Sequence, residues 1–473
     1  MTTYTPPPGS IPTLEVPSLE GIRRVHLVGI GGAGMRGIAH LLRSRGVEVS
    51  GSDLKDSRGL EELRADGATV FVGHRAEQVG EGVDAVITSS AIPDENPEVR
   101  MAEDRGVPVW KRAQALAALM ARSRTIAVSG THGKTTTTSM LAVILRRAGL
   151  DPTFVIGGDL NDSGSGAHTG GGEWFVAEAD ESDGSFLLPA PEVGVVTNVE
   201  EDHLDFYRDG EEIRGAFSVF VSRCRNVVAC GDDPGVRAVL QAAGATAVTY
   251  GFGEENPVVV RSAGGGGIGA RGEVDIDGSA VPVELRVPGA HNLLNAAAAI
   301  GAARFAGVEA ATAAEALGSF TGVRRRFEYR GVIRGADLFD DYAHHPTEVA
   351  ATLAAARDGH RRVIAVFQPH RYTRTRALWR ALGESLAGAD VVVVTDVYGA
   401  GEPPVPGVTG KLVVDGLAES APGRRILYLP RRQDVVQFLV SELRPGDLVL
   451  TLGAGDITTV ADEVMDRVRG TAS

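Results

Sequence analysis

The strongest chemical signal in the sequence is a glycine, a lysine and a threonine in succession. The string SGTHGKTTT occupies residues 129–137 and follows an apolar run that reads as a β-strand. In a P-loop, backbone N–H groups cradle phosphates, the lysine contacts the β- and γ-phosphates, and the threonine hydroxyl binds Mg²⁺. The usual spacing would place a glycine where Val128 stands, so this loop is shortened and starts at Gly130. The string predicts ATP binding by Lys134, and a glycine-rich helix start without a ligand is the alternative.

A second glycine motif lies near the beginning of the chain. Gly29, Gly31 and Gly34 form GxGxxG after the apolar run VHLVGI. Glycines in this pattern let the backbone approach a pyrophosphate at a helix N-terminus. Asp53 follows about 20 residues later, where a ribose contact is expected. A dehydrogenase-like nucleotide site, a sugar-nucleotide site and a tight turn without a ligand all fit this motif.

Acidic strings follow two further apolar runs, EADESDGSF at 178–186 and TNVEEDHLDFY at 197–207. Glu178 and His203 stand near predicted strand ends, where the ligands of doubly wound sheets gather. Mg²⁺ prefers oxygen ligands, so a histidine ligand would be less usual. The sequence predicts a metal site here, and a solvated acidic loop is the alternative.

Basic and aromatic residues cluster in three strings of the last third of the chain. The strings are RRRFE at 324–328, DDYAHHPTE at 340–348 and FQPHRYTRT at 367–375. Arginine forks and histidines suit a carboxylate or a phosphate. We therefore expect a cationic rim that includes His344, His370, Arg371 and Arg374. For His345, which precedes a proline, a role in forming a turn is favoured.

These motifs are carried by three segments in which predicted strands and helices alternate. The predicted strands span 25–30, 47–53, 84–90, 125–130, 174–179, 193–198, 226–231, 362–367, 391–397 and 447–452. A glycine-rich hairpin with an Asp-Gly turn is expected at 264–278. Alternation throughout the chain predicts an α/β protein with parallel, doubly wound sheets.

Composition excludes several classes of protein. The chain has 473 residues, a length that suggests about three domains. It contains 47 basic and 61 acidic residues, so its net charge is −14. This balance argues against binding to nucleic acid or to an anionic membrane. Two cysteines are too few for a disulfide framework, and the sequence shows neither a signal peptide nor an apolar run that could cross a bilayer. A cytoplasmic protein is expected.

Together the motifs resemble the Mur ligase family, the ATP-dependent ligases of peptidoglycan precursor synthesis. The strings that carry the resemblance are GIGGAGM, SSAI, GTHGKTTT, EADESDGSF, TNVEEDHLD, PGAHNLLNA, GVRRRFE, DDYAHHPTE and FQPHRYTRT. The GIGGAGM string is similar to that of the alanine-adding branch. The resemblance implies a Rossmann-like N-terminal domain for the UDP substrate (21–118), a P-loop-type central ATPase domain (119–328) and a Rossmann-like C-terminal domain for the amino acid (329–473). Residues 1–20 would form a flexible arm.

The resemblance also implies roles for individual residues. Those expected to contact ATP are Gly130, Thr131, His132, Gly133, Lys134, Thr135, Thr136, His291, Asn292, Asn295, Arg326 and Asp341. Those expected to contact the other substrates are Gly29, Gly31, Gly32, Gly34, Met35, Asp53, Ser89, Ser90 and Tyr342. The catalytic set would be Lys134, His344, His370, Arg371 and Arg374, and the ligands of Mg²⁺, or of Mn²⁺ as a substitute, would be Thr135, Glu178 and His203. Some relatives use a carbamylated lysine at a second metal, but no lysine occurs between Lys134 and Lys411.

The implied reaction joins L-alanine to the lactyl carboxylate of UDP-N-acetylmuramate through an acyl phosphate, with release of ADP and phosphate. His344 or His370 could accept the proton of the amine, or could hold the substrate carboxylate. The expected partners are these small molecules, with no nucleic acid and no membrane, in a monomer or weak homo-oligomer. A ligase that attaches a preformed peptide during wall recycling, an NAD-dependent oxidoreductase and a nucleotide-switch protein are the alternatives.

Overall fold

The computed structural model describes residues 15–470, except for 90, 162–163, 189, 204–205, 265–268 and 358–360. Most of the expected arm, residues 1–14, therefore lies outside the described residues. The chain forms two compact units. The first runs to residue 261 and includes 273–283 and 294–318, and the second comprises 262–272, 284–293 and 319–473. None of the helices within the described ranges is long and apolar enough to span a membrane.

The first sheet follows from alternating apolar strands and amphipathic helices. Its strands are β1 (Arg24–Val28), β2 (Glu48–Asp53), β3 (Thr69–Val72), β4 (Ala85–Thr88) and β5 (Val109–Lys111). The helices are α1 (Ala33–Ser44), α2 (Arg58–Ala65), α3 (Pro97–Asp104) and α4 (Arg112–Met120). The strand order is β3-β2-β1-β4-β5, with parallel pairing throughout. The first glycine motif therefore lies at the carboxyl end of the central strand.

The second sheet contains ten strands. They are β6 (Arg124–Ser129), β7 (Thr153–Val155), β8 (Ala167–His168), β9 (Trp174–Glu178), β10 (Val193–Val196), β11 (Asn226–Cys230), β12 (Val248–Gly251), β13 (Val258–Gly264), β14 (Ala270–Ile276) and β15 (Ser279–Leu285). Its helices are α5 (Lys134–Arg147), α6 (Gly210–Arg223), α7 (Pro234–Ala243), α8 (Ala290–Ala303) and α9 (Ala310–Leu317). The order is β15-β14-β13-β12-β11-β10-β6-β9-β7-β8. The P-loop string leaves β6, between β10 and β9.

The third sheet contains six strands. They are β16 (Glu328–Ile333), β17 (Ala336–Asp341), β18 (Val363–Phe367), β19 (Val391–Val394), β20 (Arg425–Tyr428) and β21 (Leu448–Leu452). The helices are α10 (Pro346–Arg357), α11 (Tyr372–Ser385), α12 (Lys411–Ser420), α13 (Arg432–Glu442) and α14 (Val460–Gly470). The order is β16-β17-β21-β18-β19-β20, and two buried clusters pack on the sheet.

The prediction of parallel sheets throughout is wrong where the chain reverses between neighbouring strands. The pairs β16–β17 and β7–β8 are antiparallel. Only Arg334 and Gly335 separate β16 from β17, and both have positive φ, 51° and 80°. A two-residue turn of this kind returns the chain antiparallel, whereas a parallel crossover needs a dozen or more residues. The expected Asp-Gly turn is confirmed, because Asp277 and Gly278 join β14 to β15 with φ of 54° and 79°.

One helix of the first sheet packs closely on an edge of the second. Gly37 lies in α1, and a Cβ added there would come within 3.1 Å of Val155 in β7 and 3.3 Å of Ala167 in β8. Val155, Ala167 and Phe175 belong to the same hydrophobic cluster as the buried residues of α1 and β1. The first two sheets therefore share a core, and the glycine at 37 permits the close approach.

Candidate active site

The P-loop string forms the turn between a buried strand and a helix. β6 ends at Ser129 and α5 begins at Lys134. Because β10 and β9 run parallel to β6 on its two sides, the acidic strings that follow them emerge at the same edge of the sheet. The first turn of α5 leaves backbone N–H groups without intrahelical partners, a suitable setting for phosphate.

Lys134 is held by a carboxylate that the sequence analysis did not single out. Its Nζ lies 2.8 and 2.9 Å from the two carboxylate oxygens of Glu181 and donates to the Gly130 carbonyl at 2.6 Å. Burial would lower the pKa of Lys134, but the carboxylates of Glu181 and Asp180 outweigh it and raise that pKa. Lys134 is therefore charged, and contact with a phosphate requires it to exchange Glu181 for the phosphate oxygens.

A second carboxyl group, that of Glu178, is fixed beside the lysine. Its Oε1 accepts the N–H of Gly157 at 2.7 Å, and its side chain hydrogen-bonds with Thr135. Burial raises the pKa of Glu178, because Lys134 and these hydrogen bonds offset only part of the loss of solvation. The raised pKa indicates that the positive charge nearby does not fully compensate the desolvated carboxylate. Carboxylate and hydroxyl oxygens are the ligands that Mg²⁺ prefers. The residues present therefore fit a magnesium ion.

The third predicted metal ligand, His203, lies beside different carboxylates. Its Nε2 is 3.7 Å from an oxygen of Glu181 and 3.7 Å from an oxygen of Asp202. The structure thus brings Thr135 and Glu178 into direct contact and places His203 next to the partner of Lys134.

Hydrogen bonds from the loop after β10 fix the P-loop. Asn198 accepts the N–H of His132 at 2.7 Å through its side chain and that of Thr131 at 3.0 Å through its carbonyl. The Thr197 hydroxyl donates to the His132 carbonyl at 2.5 Å. Asn198 was not among the predicted site residues, although it lies within one of the strings. These bonds occupy two of the amides that a phosphate would otherwise use.

Asn295, predicted from the string PGAHNLLNA, is next to the P-loop. Its Oδ1 accepts the Thr137 hydroxyl at 3.2 Å, and a Cβ on Gly133 would lie 2.7 Å from the same oxygen. Thr136 is half-buried on the first turn of α5. This part of the predicted ATP set forms one cluster.

Gly130 is the position where a side chain would disturb the P-loop most. Its φ is +135°, and a Cβ would lie 2.0 Å from the Thr197 hydroxyl and 3.0 Å from the N of both Thr197 and Asn198. We expect Gly130→Ala to lower the free energy of unfolding by about 3 kcal/mol or more, because steric overlap adds to backbone strain. Denaturant unfolding measures this loss.

The matched control for that substitution is Gly149→Ala. Gly149 also has a positive φ, +77°, but nothing lies within 4 Å of the added Cβ. Strain alone should cost about 1 kcal/mol there. Equal losses for the two variants would contradict the proposed contact with Thr197.

Asp53 hydrogen-bonds to the first glycine motif, and an arginine lies between this motif and the P-loop region. Asp53 Oδ2 accepts the N–H of Gly31 at 2.9 Å. Arg112, at the start of α4, pairs with Asp180 at 3.1 Å, and its Nη1 would lie 3.0 Å from a Cβ on Gly34. Burial would raise the pKa of Asp180, but Lys134 and Arg112 outweigh it and lower the pKa to about 2. Arg112 was missed because its two neighbours are distant in the sequence.

The remaining predicted residues of this region differ in their surroundings. Gly29 donates its N–H to the Ser52 carbonyl and Gly32 donates to that of Gly29. Ser89 follows β4 and donates its N–H to the Val28 carbonyl at 3.1 Å. Met35 is 1% exposed within the hydrophobic cluster of α1, so its side chain packs in the core, and a contact of residue 35 with the substrate stays a prediction. Ser90 lies outside the described residues.

In the second unit, the two basic strings also meet at one sheet edge. β17 ends at Asp341 and β18 ends at Phe367, and both pair in parallel with β21 between them. The residues that follow these strands form an aromatic and basic cluster. The His344 and His370 rings are 5.6 Å apart, and His370 stacks on Tyr398 at 5.7 Å.

His344 is oriented by its neighbours. Its Nδ1 lies 2.9 Å from the Tyr342 carbonyl oxygen and 3.3 Å from a carboxylate oxygen of Glu348. Since a carbonyl only accepts, Nδ1 carries the hydrogen and Nε2 carries the lone pair in the neutral ring. The arrangement leaves His344 able to accept a proton through Nε2.

Arginines surround the same cluster. The guanidinium groups of Arg325 and Arg326 lie 4.9 and 5.3 Å from the centre of the Tyr342 ring. Arg371 precedes the first residue of α11 with a φ of +65°, and Arg374 lies in the first turn of that helix. Arginine forks suit an anionic group, and the binding of such a group at this rim stays a prediction.

Asp341, His291 and Asn292 belong to the second unit as well. Asp341 accepts the N–H groups of Phe327 and Ala343 at 2.7 and 2.8 Å, and burial raises its pKa to about 6 although Arg326 opposes the shift. Burial, with a smaller contribution from Arg326, lowers the pKa of His291 to about 4. The Asn292 side chain donates to the Pro288 carbonyl at 2.7 Å.

The protonation of His370 yields a prediction for stability. Burial, assisted by the neighbouring His344 and by the guanidinium group of Arg374, lowers the pKa of His370 to about 3. The unfolded chain therefore binds more protons than the folded chain between about pH 3 and the unperturbed value of about 6.5, so stability rises with pH in that window. We expect His370→Gln to reduce this slope by up to about 1.4 kcal/mol per pH unit.

Unfolding free energies at several pH values between 4 and 7 measure the effect. The matched control is His40→Gln, at a half-buried histidine whose side chain is 43% exposed. A slope that His370→Gln leaves unchanged would contradict the burial of a neutral imidazole at this position.

Three family models match the chain in order along its length. They are described as the Mur ligase family, catalytic domain, over 24–124, the Mur ligase middle domain over 128–303, and the Mur ligase, glutamate ligase domain, over 325–455. Together they cover most of the sequence, and their order agrees with the three sheets.

Individual proteins are also similar over nearly the whole chain. A UDP-N-acetylmuramate–L-alanine ligase from Kineococcus radiotolerans is 50% identical over 95% of this chain and 97% of its own. One from Pelotomaculum thermopropionicum is 46% identical over 94% and 98%. The crystal structure of UDP-N-acetylmuramate-alanine ligase from Thermotoga maritima superposes with a TM-score of 0.82 at 29% identity, covering 95% of this chain and 99% of that one. With the family models, these similarities establish that the chain belongs to the Mur ligase family.

Proposed function

We propose that this chain is an ATP-dependent ligase that joins L-alanine to the lactyl carboxylate of UDP-N-acetylmuramate, in cytoplasmic peptidoglycan precursor synthesis. The observation that carries the proposal is the charged Lys134 at the P-loop, paired with Glu181 and adjacent to the buried Glu178. The similarity to relatives that bear this activity in their names supports the choice of substrates.

We divide the chain accordingly. Residues 21–118 would bind the UDP part of the substrate, 119–328 ATP and 329–473 the amino acid, with 1–20 as an arm. The glycine motif closed by Asp53 is where the pyrophosphate would lie. Arg112 stands between this motif and Asp180, so it can exchange the carboxylate for an anionic group of the bound nucleotide sugar.

In the first step, the lactyl carboxylate attacks the γ-phosphate of ATP in line, and an acyl phosphate and ADP result. The protein mainly positions groups and neutralises charge in such a transfer. Lys134 leaves Glu181 and contacts the phosphates. Thr135, Glu178 and His203 would hold Mg²⁺, which when bound supplies further positive charge to the phosphate oxygens.

In the second step, the uncharged amine of L-alanine attacks the acyl carbon and phosphate leaves. We propose that His344 accepts the proton of the amine. Its Nε2 carries the lone pair, and Glu348 would stabilise the imidazolium form. A pKa of about 3 makes His370 a weak base. We therefore assign His370 to holding the amino acid, together with Tyr342, Arg371 and Arg374.

The test is ADP release in the presence of UDP-N-acetylmuramate, scanned over amino acids. L-alanine should stimulate release more than glycine by about 10- to 200-fold, the discrimination that one methyl group in an apolar pocket provides. Stimulation by a tripeptide and not by L-alanine would favour the recycling ligase instead. Multiple-turnover ADP release that no amine stimulates would contradict the proposal.

A further inference from the structure

A surface cavity of about 500 Å³ lies in the first unit, and none of its lining residues belongs to the P-loop string or to the acidic strings beside it. Its basic lining residues are Arg122, Arg124, Arg223 and Arg225. Glu192 is the one acidic residue among the lining residues that the structure describes. Such a concentration of arginines is a local exception in a chain whose net charge is −14.

The cavity lies at the amino ends of the central strands of the second sheet. Arg124 is the first residue of β6, Arg225 directly precedes β11, and Glu192 directly precedes β10. These three strands are parallel neighbours, so their amino ends share one edge. The P-loop leaves the opposite end of β6, about 20 Å away for a six-residue strand. A ligand in the cavity would therefore not overlap the nucleotide at the P-loop.

The arginines differ in how firmly they are already held. Arg124 pairs with Glu192 at 2.9 Å and Glu173 at 3.1 Å and lies over the Trp174 ring, so it forms a fixed wall. Arg225 is only within 3.8 Å of Glu192. Arg225 is therefore held less firmly than Arg124.

The other two arginines have no acidic partner in the cavity. Arg122 forms no ion pair with any residue in the described ranges, and Arg223 donates to the Leu187 carbonyl. The pKa of Arg45 is lowered by burial and, to a smaller extent, by the positive charge of Arg122. The Cys224 thiol in the wall stays neutral, since burial raises its pKa to about 12.

We propose that this arginine cavity is a second anion site, which binds a di- or triphosphate group. Guanidinium forks match phosphate oxygens in a bidentate manner, and a cavity of this volume suits a small ligand. Several phosphates are needed because water and salt screen exposed arginines, so a single phosphate would gain little. Neither the similarity to known ligases nor the proposed reaction assigns a ligand to this edge of the sheet.

The test follows hydrogen exchange of the full chain during titration with inorganic tripolyphosphate at low salt. Peptides that cover 121–125 and 222–226 should become protected, and their half-saturation gives an affinity for this cavity separately from the P-loop peptide 130–137. The double variant Arg122→Gln/Arg225→Gln should weaken that affinity about tenfold or more, because two charge-assisted contacts are lost. ADP release without tripolyphosphate should stay as in the wild type.

Two further variants secure the interpretation. Arg271→Gln/Arg431→Gln removes two arginines of similar exposure elsewhere on the surface and should leave the affinity unchanged. Arg122→Gln alone alters a residue without an ion pair and should weaken the affinity about threefold without loss of stability. The proposal is overturned if the two peptides gain no protection, if the double variant binds as the wild type does, or if the control pair weakens binding equally.

Discussion

Lys134→Ala should slow ADP formation on the order of 10³-fold, the effect expected when a preorganised cation at the phosphates is removed. Lys134 is buried and charged, and its partner Glu181 occupies the position of a negative group. Arg112 is held by Asp180, so we expect it to compensate little for the loss. Single-turnover formation of ADP from ATP and UDP-N-acetylmuramate measures this step without the amino acid.

Two controls separate charge from folding in that experiment. Lys411→Ala removes an exposed lysine paired with Asp415 and should leave the rate unchanged. Lys134→Ala also leaves Glu181 buried without its cation, a destabilising change that the double variant Lys134→Ala/Glu181→Gln relieves. The double variant should remain inactive while it regains stability. Recovery of ADP formation in the double variant would show that the lysine matters for folding and not for phosphate.

Glu178→Gln should reduce turnover on the order of 10²-fold at a fixed Mg²⁺ concentration and raise the Mg²⁺ concentration needed for half-maximal activity. The amide keeps the shape of the side chain and one oxygen, but it loses the charge that would attract the ion. Its N–H contact from Gly157 can persist, so the fold of the strand end should be retained. Calorimetric titration of the protein with Mn²⁺ gives a readout of the metal site apart from activity.

Glu173→Gln is the matched control, because Glu173 lies at the opposite end of the same strand and its carboxylate is 64% exposed. It should bind Mn²⁺ and respond to Mg²⁺ as the wild type does. If Glu178→Gln shows the same metal dependence as this control, the carboxylate of Glu178 has no part in holding the ion.

Much of the sheet framework follows from the sequence because each apolar run ends where a motif begins. The run before the P-loop string predicted β6 to within one residue, and parallel order then placed the strings after β9 and β10 beside it. The antiparallel pair β16–β17 was missed because the turn at Arg334 and Gly335 carries no proline or Asn-Gly signal. Two residues with positive φ nevertheless reverse the chain there.

The partners within the site were harder to predict than the site itself. The string EADESD offers four carboxylates, and periodicity does not tell which of them turns toward a lysine 47 residues away. Glu181 does so because a short helical turn at 181–183 carries it inward from the strand end. Arg112 pairs with Asp180 across 68 residues, a contact that depends on how two sheets pack. The family resemblance assigned Met35 to the substrate-binding set, and the structure places its side chain in the core.

The shared core at Gly37 bears on how such enzymes could be recombined. Because a Cβ at residue 37 of α1 would lie only 3.1 Å from Val155 in β7 and 3.3 Å from Ala167 in β8, the first sheet is fitted to its own neighbour. A chimera that exchanged only about the first hundred residues for those of a relative would pack α1 of one parent against β7 and β8 of the other. Viable hybrids should arise when the crossover point lies after β9, so that α1, β7 and β8 all come from one parent.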